Sequence, residues 1–368
     1  MREATAAVAN VKSPPPMRPR VEESHLRLMR VLRLYPLDRI LAIERLHRGR
    51  DNMTFRADTT AGSYVVRCIR AADNGALAYR HLLLRALAQR GLPVAVPVAT
   101  REGASFVLMD GTTHELLPFV SGTTFVRGRL AHAAAAATML ARYHEAVADC
   151  PASGARAANY PALLAERAAF YAPALLAERA AFYAPALQDV PRRFDVPEED
   201  DVARAIPFLA SQAAQLRPRL DAMRAQSLPR LVVHGDYRRG NLIFSGDKLV
   251  ALLDFDRTCE DVRAADLAVA LSNLTRSADK RMDMHPELVR AFIERYTAEQ
   301  PITADERAAL PVLILGKALV AALQRLRRFQ TTEPRERAKR ARKFVKHARR
   351  LRWLVEHRDL WGEALHDG

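Results

Sequence analysis

Hydrophobic and polar positions alternate in the first third of the chain and follow a helical period through much of the rest. Alternation over ILAIERL, NMTFRADT and SYVVRCI, between Ile40 and Arg70, predicts three short strands. A further hairpin is predicted from Ser105 to Leu117, with its turn at Asp110-Gly111. The predicted helices cover residues 22–34, 75–89, 131–149, 288–296 and 311–329, with another running from Pro197 towards Leu220. The pattern therefore predicts a small antiparallel sheet followed by a mainly helical region.

The stretch LVVHGDYRRGNLIFSGDKLVALLDFD contains two apolar runs, and each leads into polar residues. Both runs have the length of a short buried strand. Asp236, Asn241 and Asp254 are thereby predicted to lie at strand ends. Gly235 permits a tight turn before Asp236, and Asn241 follows five residues later. This spacing is typical of a loop that folds back on itself.

The chemistry of these three side chains is restricted. A carboxylate at Asp236 can accept a hydroxyl proton. The neutral carbonyl oxygen of Asn241 and the full charge of Asp254 suit a hard divalent cation such as Mg²⁺. One base and two metal ligands are the minimum that phosphoryl transfer requires, because most of the barrier lowering comes from positioning and charge neutralisation.

The pattern H-G-D-x-x-x-x-N, followed by apolar-D-F-D and then D-L-A, is similar to the aminoglycoside phosphotransferase family. This family comprises protein-kinase-like small-molecule kinases, including homoserine, choline and methylthioribose kinases. The resemblance extends over roughly residues 25–300. It implies that Asp236 is the catalytic base and that Asn241 and Asp254 are metal ligands. It also implies that Asp266 braces the catalytic loop, the stretch from His234 to Asn241.

The resemblance also implies a bilobal, protein-kinase-like α+β fold that uses ATP and Mg²⁺. A disordered leader at residues 1–20 would precede a small antiparallel β-sheet N-lobe at 21–117. A hinge at 118–122 would lead to a larger helical C-lobe at 123–368, which ends in a basic helix.

Two segments are expected to contact the nucleotide. Gly49 and Asn52 lie in a G-x-x-N turn at the position of the family's phosphate-covering loop, although a plain hairpin turn explains the sequence as well. Leu117, Phe119 and Val120 lie where the hinge offers backbone groups to the adenine, although an ordinary linker would have the same sequence.

The third strand is expected to supply the basic residue that holds the phosphates. The family's pattern aligns with Arg67 in preference to Arg70, and arginine can bind two phosphate oxygens at once. Kinase-like folds usually pair this residue with a helix glutamate, but the only acid between Ala71 and Arg101 is Asp73. Either Asp73 substitutes, or the nucleotide alone orients Arg67.

Two other polar residues have competing interpretations. Asp256 either reaches a second metal ion or caps a turn. His144 occupies the family's L-A-x-x-H position, but its helix is apolar on that side. A buried, hydrogen-bonded core histidine is therefore favoured over a catalytic one.

Composition limits the class of protein. A chain of 368 residues with 49% hydrophobic content can bury a large core in two lobes. Its three cysteines have no paired spacing, which favours a reducing cytoplasm. No run approaches the ~18 apolar residues of a membrane span, and the N-terminus has no signal core. We therefore expect a cytoplasmic protein with no membrane partner.

The net charge of +15 is concentrated near the C-terminus. Between Arg325 and Arg352, thirteen Lys or Arg residues face two glutamates, which accounts for +11 of the total. This stretch indicates either a nucleic-acid surface or an amphipathic helix with solvated arginines. Phe344, Ala348 and Leu351 recur at helical spacing, so the helix is favoured and a nucleic-acid partner is not.

The sequence PALLAERAAFYA occurs at 161–172 and again at 173–184. Two copies of twelve residues cannot stack into a repeat architecture. The duplication either covers the substrate or is a tolerated surface extension.

These features together predict transfer of the ATP γ-phosphate to a hydroxyl group of a small molecule. Aminoglycosides are polycations, which a strongly basic chain disfavours. A neutral or zwitterionic acceptor of the homoserine or amino-alcohol kind is therefore preferred to an aminoglycoside. A catalytically weak pseudokinase and a nucleic-acid-associated protein are the remaining alternatives, and the oligomeric state is left open.

Overall fold

The computed structural model describes residues 21–46, 53–70, 73–150, 156–157, 197–223, 228–279 and 281–366. These residues divide into two compact units. The first contains the described residues of Met1–Ala72 and Pro97–Leu117, and the second those of Asp73–Val96 and Pro118–Gly368. The predicted leader at 1–20, the turn with Gly49 and Asn52, and the duplication at 161–184 lie outside the described residues.

The described part of the first unit contains a five-stranded sheet in the order β1-β2-β3-β5-β4. Its strands are β1 (Ile40–Leu46), β2 (Met53–Thr59), β3 (Gly62–Arg70), β4 (Val107–Met109) and β5 (Thr112–Pro118). The β1–β2, β2–β3 and β4–β5 pairs are antiparallel. Asp110 and Gly111 form the β4–β5 turn with φ of +50° and +68°, as two-residue hairpin turns require. The predicted strands are therefore confirmed.

One helix covers this sheet. Helix α1 (Val21–Leu32) places Leu28, Val31 and Leu32 in a buried cluster with residues of β2 and β3, including Phe55 and Val66. Burial of these side chains gives the first unit a hydrophobic core of its own.

The second unit is mainly helical. Its described helices are α2 (Asn74–Gln89), α3 (Leu130–Val147), α4 (Pro197–Met223), α5 (Arg263–Leu274), α6 (Pro286–Thr297), α7 (Ala304–Gln330), α8 (Arg337–Glu356) and α9 (Arg358–Glu363). Helix α5 is buried along nearly its whole length. Helix α7 packs against α5 and α8, α4 packs against α7 and α8, and α3 packs against α6. The predicted helices are confirmed, including one that begins at Pro197.

Short strands flank the predicted catalytic residues. They are β6 (Thr123–Thr124), β7 (Arg156–Ala157), β8 (Arg230–Val233), β9 (Leu242–Ser245), β10 (Lys248–Leu252) and β11 (Cys259–Val262). These strands form two described sheets, in the orders β10-β9-β6 and β7-β11-β8. Strand β8 ends just before His234-Gly235-Asp236, and β10 ends just before Asp254-Phe255-Asp256. The two apolar runs are therefore strands, as predicted.

Helix α7 is long and apolar enough to cross a membrane by length and composition alone. However, 72% of its most apolar window is buried inside the protein, which is typical of a core helix. Among the described residues it is the one helix that meets this criterion.

The basic C-terminal stretch contains an amphipathic helix, α8, with Phe344, Ala348 and Leu351 buried. Its arginines are not all solvated, which corrects the sequence-based expectation. The Arg352 guanidinium lies 4.9 Å from the centre of the Phe208 ring, and Arg350 forms an ion pair inside the unit. Long arginine side chains can bury their stems and keep a polar end in contact with a partner.

Candidate active site

The turn before Asp236 has a backbone that only glycine accommodates. Gly235 has φ of +74°, and a Cβ atom there would lie 2.3 Å from the carbonyl oxygen of Arg257. Arg257 directly follows the Asp254-Phe255-Asp256 segment. The catalytic loop and this segment therefore pack backbone against backbone.

Asp266 of α5 holds the start of the catalytic loop through hydrogen bonds. Its carboxylate accepts hydrogen bonds from the backbone N–H groups of His234 at 2.6 Å and Gly235 at 2.8 Å. His144 Nε2 lies 3.3 Å from the same carboxylate. Burial raises the pKa of Asp266, but the hydrogen bonds from His144 and the Gly235 N–H outweigh it and hold the pKa below its usual value. Asp266 therefore remains a buried carboxylate that fixes the start of the loop.

His144 is a core residue, as predicted. Its ring is buried, and the Tyr296 hydroxyl lies 2.6 Å from Nδ1. With Nδ1 accepting from Tyr296, Nε2 carries the proton and donates it to Asp266. The histidine acts on the loop through Asp266.

His234 connects the two polar segments. The Asp236 backbone N–H donates to Nδ1 at 3.2 Å, so the ring proton is on Nε2, which donates to the Leu253 carbonyl at 3.2 Å. Burial lowers the pKa of His234, which favours this neutral form. The ring holds the residue before Asp254 against the catalytic loop.

Asp236 and Asn241 are brought together as predicted. The Asn241 amide nitrogen donates to the Asp236 carbonyl at 2.9 Å and to Asp236 Oδ2 at 3.2 Å. Arg238 Nε also donates to Oδ2, at 2.6 Å. Both side-chain contacts end on the same oxygen, so Oδ1 is the carboxylate oxygen that faces other partners. The contact of Arg238 with Asp236 is a feature that the sequence analysis missed.

Asp254 lies beside Asn241 on a strained backbone. The Leu253 N–H donates to the Asn241 carbonyl at 2.8 Å, which joins the two residues through the main chain. Asp254 has φ of +68°, in the left-handed region that side-chain-bearing residues rarely adopt. Such strain is concentrated at functional sites because it aims a side chain where regular structure cannot.

The donors at this position fit a hard divalent cation. The amide nitrogen of Asn241 is engaged with Asp236, so its amide oxygen is the end that can bind a metal. Asp254 supplies a partly exposed carboxylate. Mg²⁺ is usually bound by one or two protein oxygens together with phosphate and water oxygens. No group of three or more His, Cys, Asp or Glu side chains suited to a metal occurs in the described ranges, and Mg²⁺ with phosphate does not need one.

Asp256 makes a contact that the sequence analysis did not predict, and both interpretations offered for it stay predictions. Its carboxylate forms an ion pair with Arg80 of α2. This contact ties the D-F-D segment to α2, the first described helix of the second unit.

The first unit gives Arg67 an acidic partner. Arg67 Nη1 donates to Glu115 Oε1 at 2.7 Å, and the Glu115 side chain is almost fully buried. Glu115 lies on β5, the neighbour of β3 in the sheet, which corrects both alternatives considered for orienting Arg67. Asp73 instead caps α2, accepting from the Ala76 N–H at 3.1 Å. Arg70 is exposed at the end of β3.

Leu117, Phe119 and Val120 lie at the junction between the units. Leu117 is the last residue of the first unit, and Phe119 and Val120 follow β5 in irregular backbone. All three are partly buried. The nucleotide contacts of these residues stay a prediction.

The profile of the phosphotransferase enzyme family, which includes the aminoglycoside phosphotransferases, matches residues 42–311. The chain belongs to this family. This result confirms the predicted activity class, a phosphotransferase with an alcohol group as acceptor.

Curated relatives of this phosphotransferase include homoserine kinases. The chain is 28% identical to the homoserine kinase of Bradyrhizobium sp. over 304 residues, covering 80% of this chain and 82% of the relative. It is 29% identical to the homoserine kinase of Rhodopseudomonas palustris over 304 residues, covering 81% and 83%.

Solved structures of the family share the fold of this phosphotransferase. An aminoglycoside phosphotransferase from Alicyclobacillus acidocaldarius has a TM-score of 0.63 at 18% identity, covering 96% of this chain and 98% of the other. Amicoumacin kinase has a TM-score of 0.60 at 15% identity, covering 89% and 93%. The predicted protein-kinase-like α+β fold is therefore confirmed.

The phosphotransferase also has a lysine near its catalytic loop that the sequence did not single out. Lys317 of α7 lies within 3.4 Å of the Val269 carbonyl. Burial and, to a smaller extent, the charge of Arg350 lower the pKa of Lys317 to about 7, against the opposing effect of the carboxylates of Asp236 and Asp266. The sequence analysis assigned no role to Lys317, because a single lysine does not change the hydrophobic period of an apolar helix.

Proposed function

We propose that this phosphotransferase transfers the γ-phosphate of ATP, with Mg²⁺, to the hydroxyl group of a small molecule of the homoserine or amino-alcohol kind. The observation that carries the proposal is the arrangement of Asp236 and Asn241 beside Asp254. The proposed base and one proposed metal ligand lie on a loop that Asp266 and Gly235 hold in place, and the second proposed ligand, Asp254, lies on the segment bonded to that loop.

Asp236 is proposed as the base that orients and deprotonates the acceptor hydroxyl. Arg238 and Asn241 both bond to Oδ2, which leaves Oδ1 to accept the hydroxyl proton. Two donors on one oxygen also fix the rotation of the carboxylate. A fixed carboxylate contributes through orientation as well as through proton transfer.

Asn241 and Asp254 are proposed to hold Mg²⁺. When bound there, the ion would neutralise charge on the ATP phosphates. The left-handed backbone of Asp254 and the hydrogen bond between Leu253 and Asn241 keep the two ligands adjacent before the nucleotide arrives. Asp256, already paired with Arg80, is not assigned to the metal.

Arg67 is proposed to bind the phosphates of ATP. Glu115 orients the guanidinium, and an arginine side chain can bind two phosphate oxygens at once. Gly49 and Asn52 are proposed to cover the phosphates, and Leu117, Phe119 and Val120 to contact the adenine. The amicoumacin kinase with the same fold was solved with AMP-PNP and Ca²⁺, which supports the choice of ATP.

Replacing Glu115 by glutamine tests the role of Arg67. Glu115→Gln keeps the side-chain shape but removes the charge that orients Arg67, so the KM for ATP should rise by about tenfold, while kcat changes less. Steady-state kinetics at fixed acceptor measures both. Asp58→Asn is the matched control, because the ion pair of Asp58 with Arg56 lies on the same sheet and is more exposed than that of Glu115 with Arg67. An unchanged KM for ATP in a folded Glu115→Gln protein would remove Arg67 from the phosphate site.

The acceptor is proposed from the relatives and from charge. The homoserine kinases match this chain over most of their length, and homoserine is a zwitterion with one primary hydroxyl. The protein carries a net charge of +15, which raises the electrostatic cost of binding a polycation. An aminoglycoside acceptor is the second candidate, since proteins with that activity share the fold.

A comparison of acceptors tests this proposal. With saturating ATP and Mg²⁺, release of ADP is measured for L-homoserine, 3-amino-1-propanol and kanamycin. We expect kcat/KM for L-homoserine or the amino alcohol to exceed that for kanamycin by at least about tenfold. A higher kcat/KM for kanamycin would reverse the acceptor preference, and no acceptor-dependent ADP release would contradict the proposed activity.

A further inference from the structure

Two arginines of the second unit contact a single carboxylate, and a third lies on a segment that touches the one carrying Arg276. Arg276 Nη2 lies 2.6 Å from Asp283 Oδ1, and Arg350 Nε lies 3.4 Å from the same oxygen. Arg350 also donates to the Ser272 carbonyl. Arg127 precedes Gly128, where a Cβ atom would lie 2.8 Å from the Ala278 Cβ, and the charges of Arg276 and Asp283 both act on the pKa of Arg127. We call Arg127, Arg276 and Arg350 the arginine cluster.

The arginine cluster has more positive charge than its protein partners balance. The Nε atoms of all three arginines are buried without a hydrogen-bond partner in the described part of the chain. Asp283 is the one carboxylate in ion-pair contact with the cluster among the described residues, and Arg127 has no ion pair there. Two positive charges are thus in excess. Burying charge without a partner is costly, so such an arrangement indicates an anionic ligand.

The pKa values agree with this geometry. Burial lowers the pKa of Arg127, and the charges of Arg276 and Arg239 lower it further, against the effect of Asp283. Burial also lowers the pKa of Arg350 to about 10, with Asp283 opposing and the other two arginines adding to the shift. Arg127 and Arg350 therefore lie in the positive potential of neighbouring arginines.

Separate segments of the second unit build the arginine cluster. Arg127 lies between β6 and α3, Arg276 follows α5, and Arg350 lies on α8. A Cβ atom at Gly128 would lie 2.8 Å from the Ala278 Cβ, so the segments carrying Arg127 and Arg276 touch closely. The cluster is consequently held by the fold and does not depend on one loop.

The arginine cluster is electrostatically linked to the catalytic loop. Arg239, whose charge acts on Arg127, is three residues after Asp236 in that loop. The charge of Arg350 lowers the pKa of Lys317, and the charge of Asp236 raises it. The two regions also touch through the main chain, because the Phe125 N–H, two residues before Arg127, donates to the Leu242 carbonyl at 3.3 Å, and Leu242 directly follows Asn241.

We propose that the arginine cluster binds a carboxylate group of the acceptor, which makes the acceptor a hydroxy acid or hydroxy amino acid. This inference rests on the proposed function and narrows its acceptor. Guanidinium groups bind carboxylates through paired N–H donors, and Arg127 is the member with its donors uncommitted to Asp283. Amino alcohols and aminoglycosides lack the group that the cluster would bind.

Removing one arginine tests this inference by comparing two acceptors. L-homoserine and 3-amino-1-propanol differ by the carboxylate alone. In Arg127→Gln, kcat/KM for L-homoserine should fall by about 10- to 100-fold, as expected for loss of a charge-assisted contact, while kcat/KM for 3-amino-1-propanol changes less than about twofold. Arg349→Gln is the matched control, since Arg349 is the exposed neighbour of Arg350 and pairs with Asp201. It should leave both values unchanged.

Thermal unfolding separates a binding role from a structural one. Without ligand, Arg127→Gln should have a Tm equal to or above that of the original protein, because it relieves repulsion within the cluster. A lower Tm, with equal loss for both acceptors, would make Arg127 structural and overturn the inference. Unchanged discrimination between the acceptors would overturn it as well.

A binding measurement distinguishes failure of this inference from failure of the proposed function. If neither acceptor is phosphorylated, calorimetric titration with L-homoserine decides the matter. Binding that Arg127→Gln abolishes supports the carboxylate site, and no binding to the original protein overturns it. Inorganic phosphate is titrated in parallel. Binding of phosphate that Arg127→Gln abolishes, without any effect of this variant on L-homoserine, would assign the cluster to a free anion and overturn the inference.

Discussion

Asp236→Asn is expected to reduce turnover by ~10² or more while ATP affinity and Tm stay unchanged. The amide has the size of the carboxylate but cannot take a proton from the acceptor hydroxyl. The neighbours of Asp236 are undisturbed, because an amide oxygen can still accept the hydrogen bonds that Arg238 and Asn241 donate to Oδ2. Single-turnover kinetics with ATP and L-homoserine measures the loss, and calorimetry measures ATP affinity.

A matched control for this prediction is Asp247→Asn. Asp247 lies in the exposed turn between β9 and β10 and pairs with Arg129, so its replacement should leave turnover within about twofold. Near-normal turnover by a folded Asp236→Asn protein would remove Asp236 from the chemistry, whatever the family resemblance implies.

Asp254→Asn is expected to abolish the dependence of ATP affinity on Mg²⁺. Asp254 supplies the full negative charge in the proposed metal site, and its removal leaves neutral oxygens that bind Mg²⁺ weakly. Asparagine is preferred to alanine as the replacement because it tolerates the left-handed backbone at φ of +68°. Calorimetric titration of ATP with and without Mg²⁺ should give the same Kd in the variant and different values in the original protein.

The neighbouring acid provides the comparison for Asp254. Asp256→Asn should keep the Mg²⁺ dependence, since Asp256 is paired with Arg80, although loss of this ion pair should lower Tm. Equal Mg²⁺ dependence in Asp254→Asn and the original protein would mean that the D-F-D segment serves only as a turn. Loss of the dependence in Asp256→Asn alone would move the metal site to Asp256.

The local sequence predicted those strands and turns whose conformation depends on neighbouring residues. Period-two alternation predicted β1 to β3, and apolar runs that lead into polar residues predicted β8 and β10. Asp236 and Asn241 were predicted to meet because Gly235 makes a turn that few other residues allow. In each case the signal and the structure lie within about ten residues of each other, where chain geometry permits few alternatives.

Contacts between distant segments were not predictable in the same way. Glu115 is 48 residues from Arg67, and only the strand order β3-β5 brings them together. A charged residue in the buried strand THELLP was a visible signal, but it named no partner. The arginine cluster joins three distant segments, and the sequence offered only a basic helix for one of them. The left-handed backbone of Asp254 was not predictable from the sequence, because aspartate adopts this conformation rarely.

Phosphorus NMR of the reaction products tests the central claim most directly. The full-length chain is incubated with ATP, Mg²⁺ and L-homoserine, and ³¹P spectra are followed over time. We predict a phosphomonoester resonance that is coupled to CH₂ protons, grows in equal amount with ADP, and grows at least about a hundredfold more slowly with Asp236→Asn. Formation of ADP and inorganic phosphate alone, or an equal phosphomonoester signal with Asp236→Asn, would contradict phosphoryl transfer to the acceptor hydroxyl by Asp236.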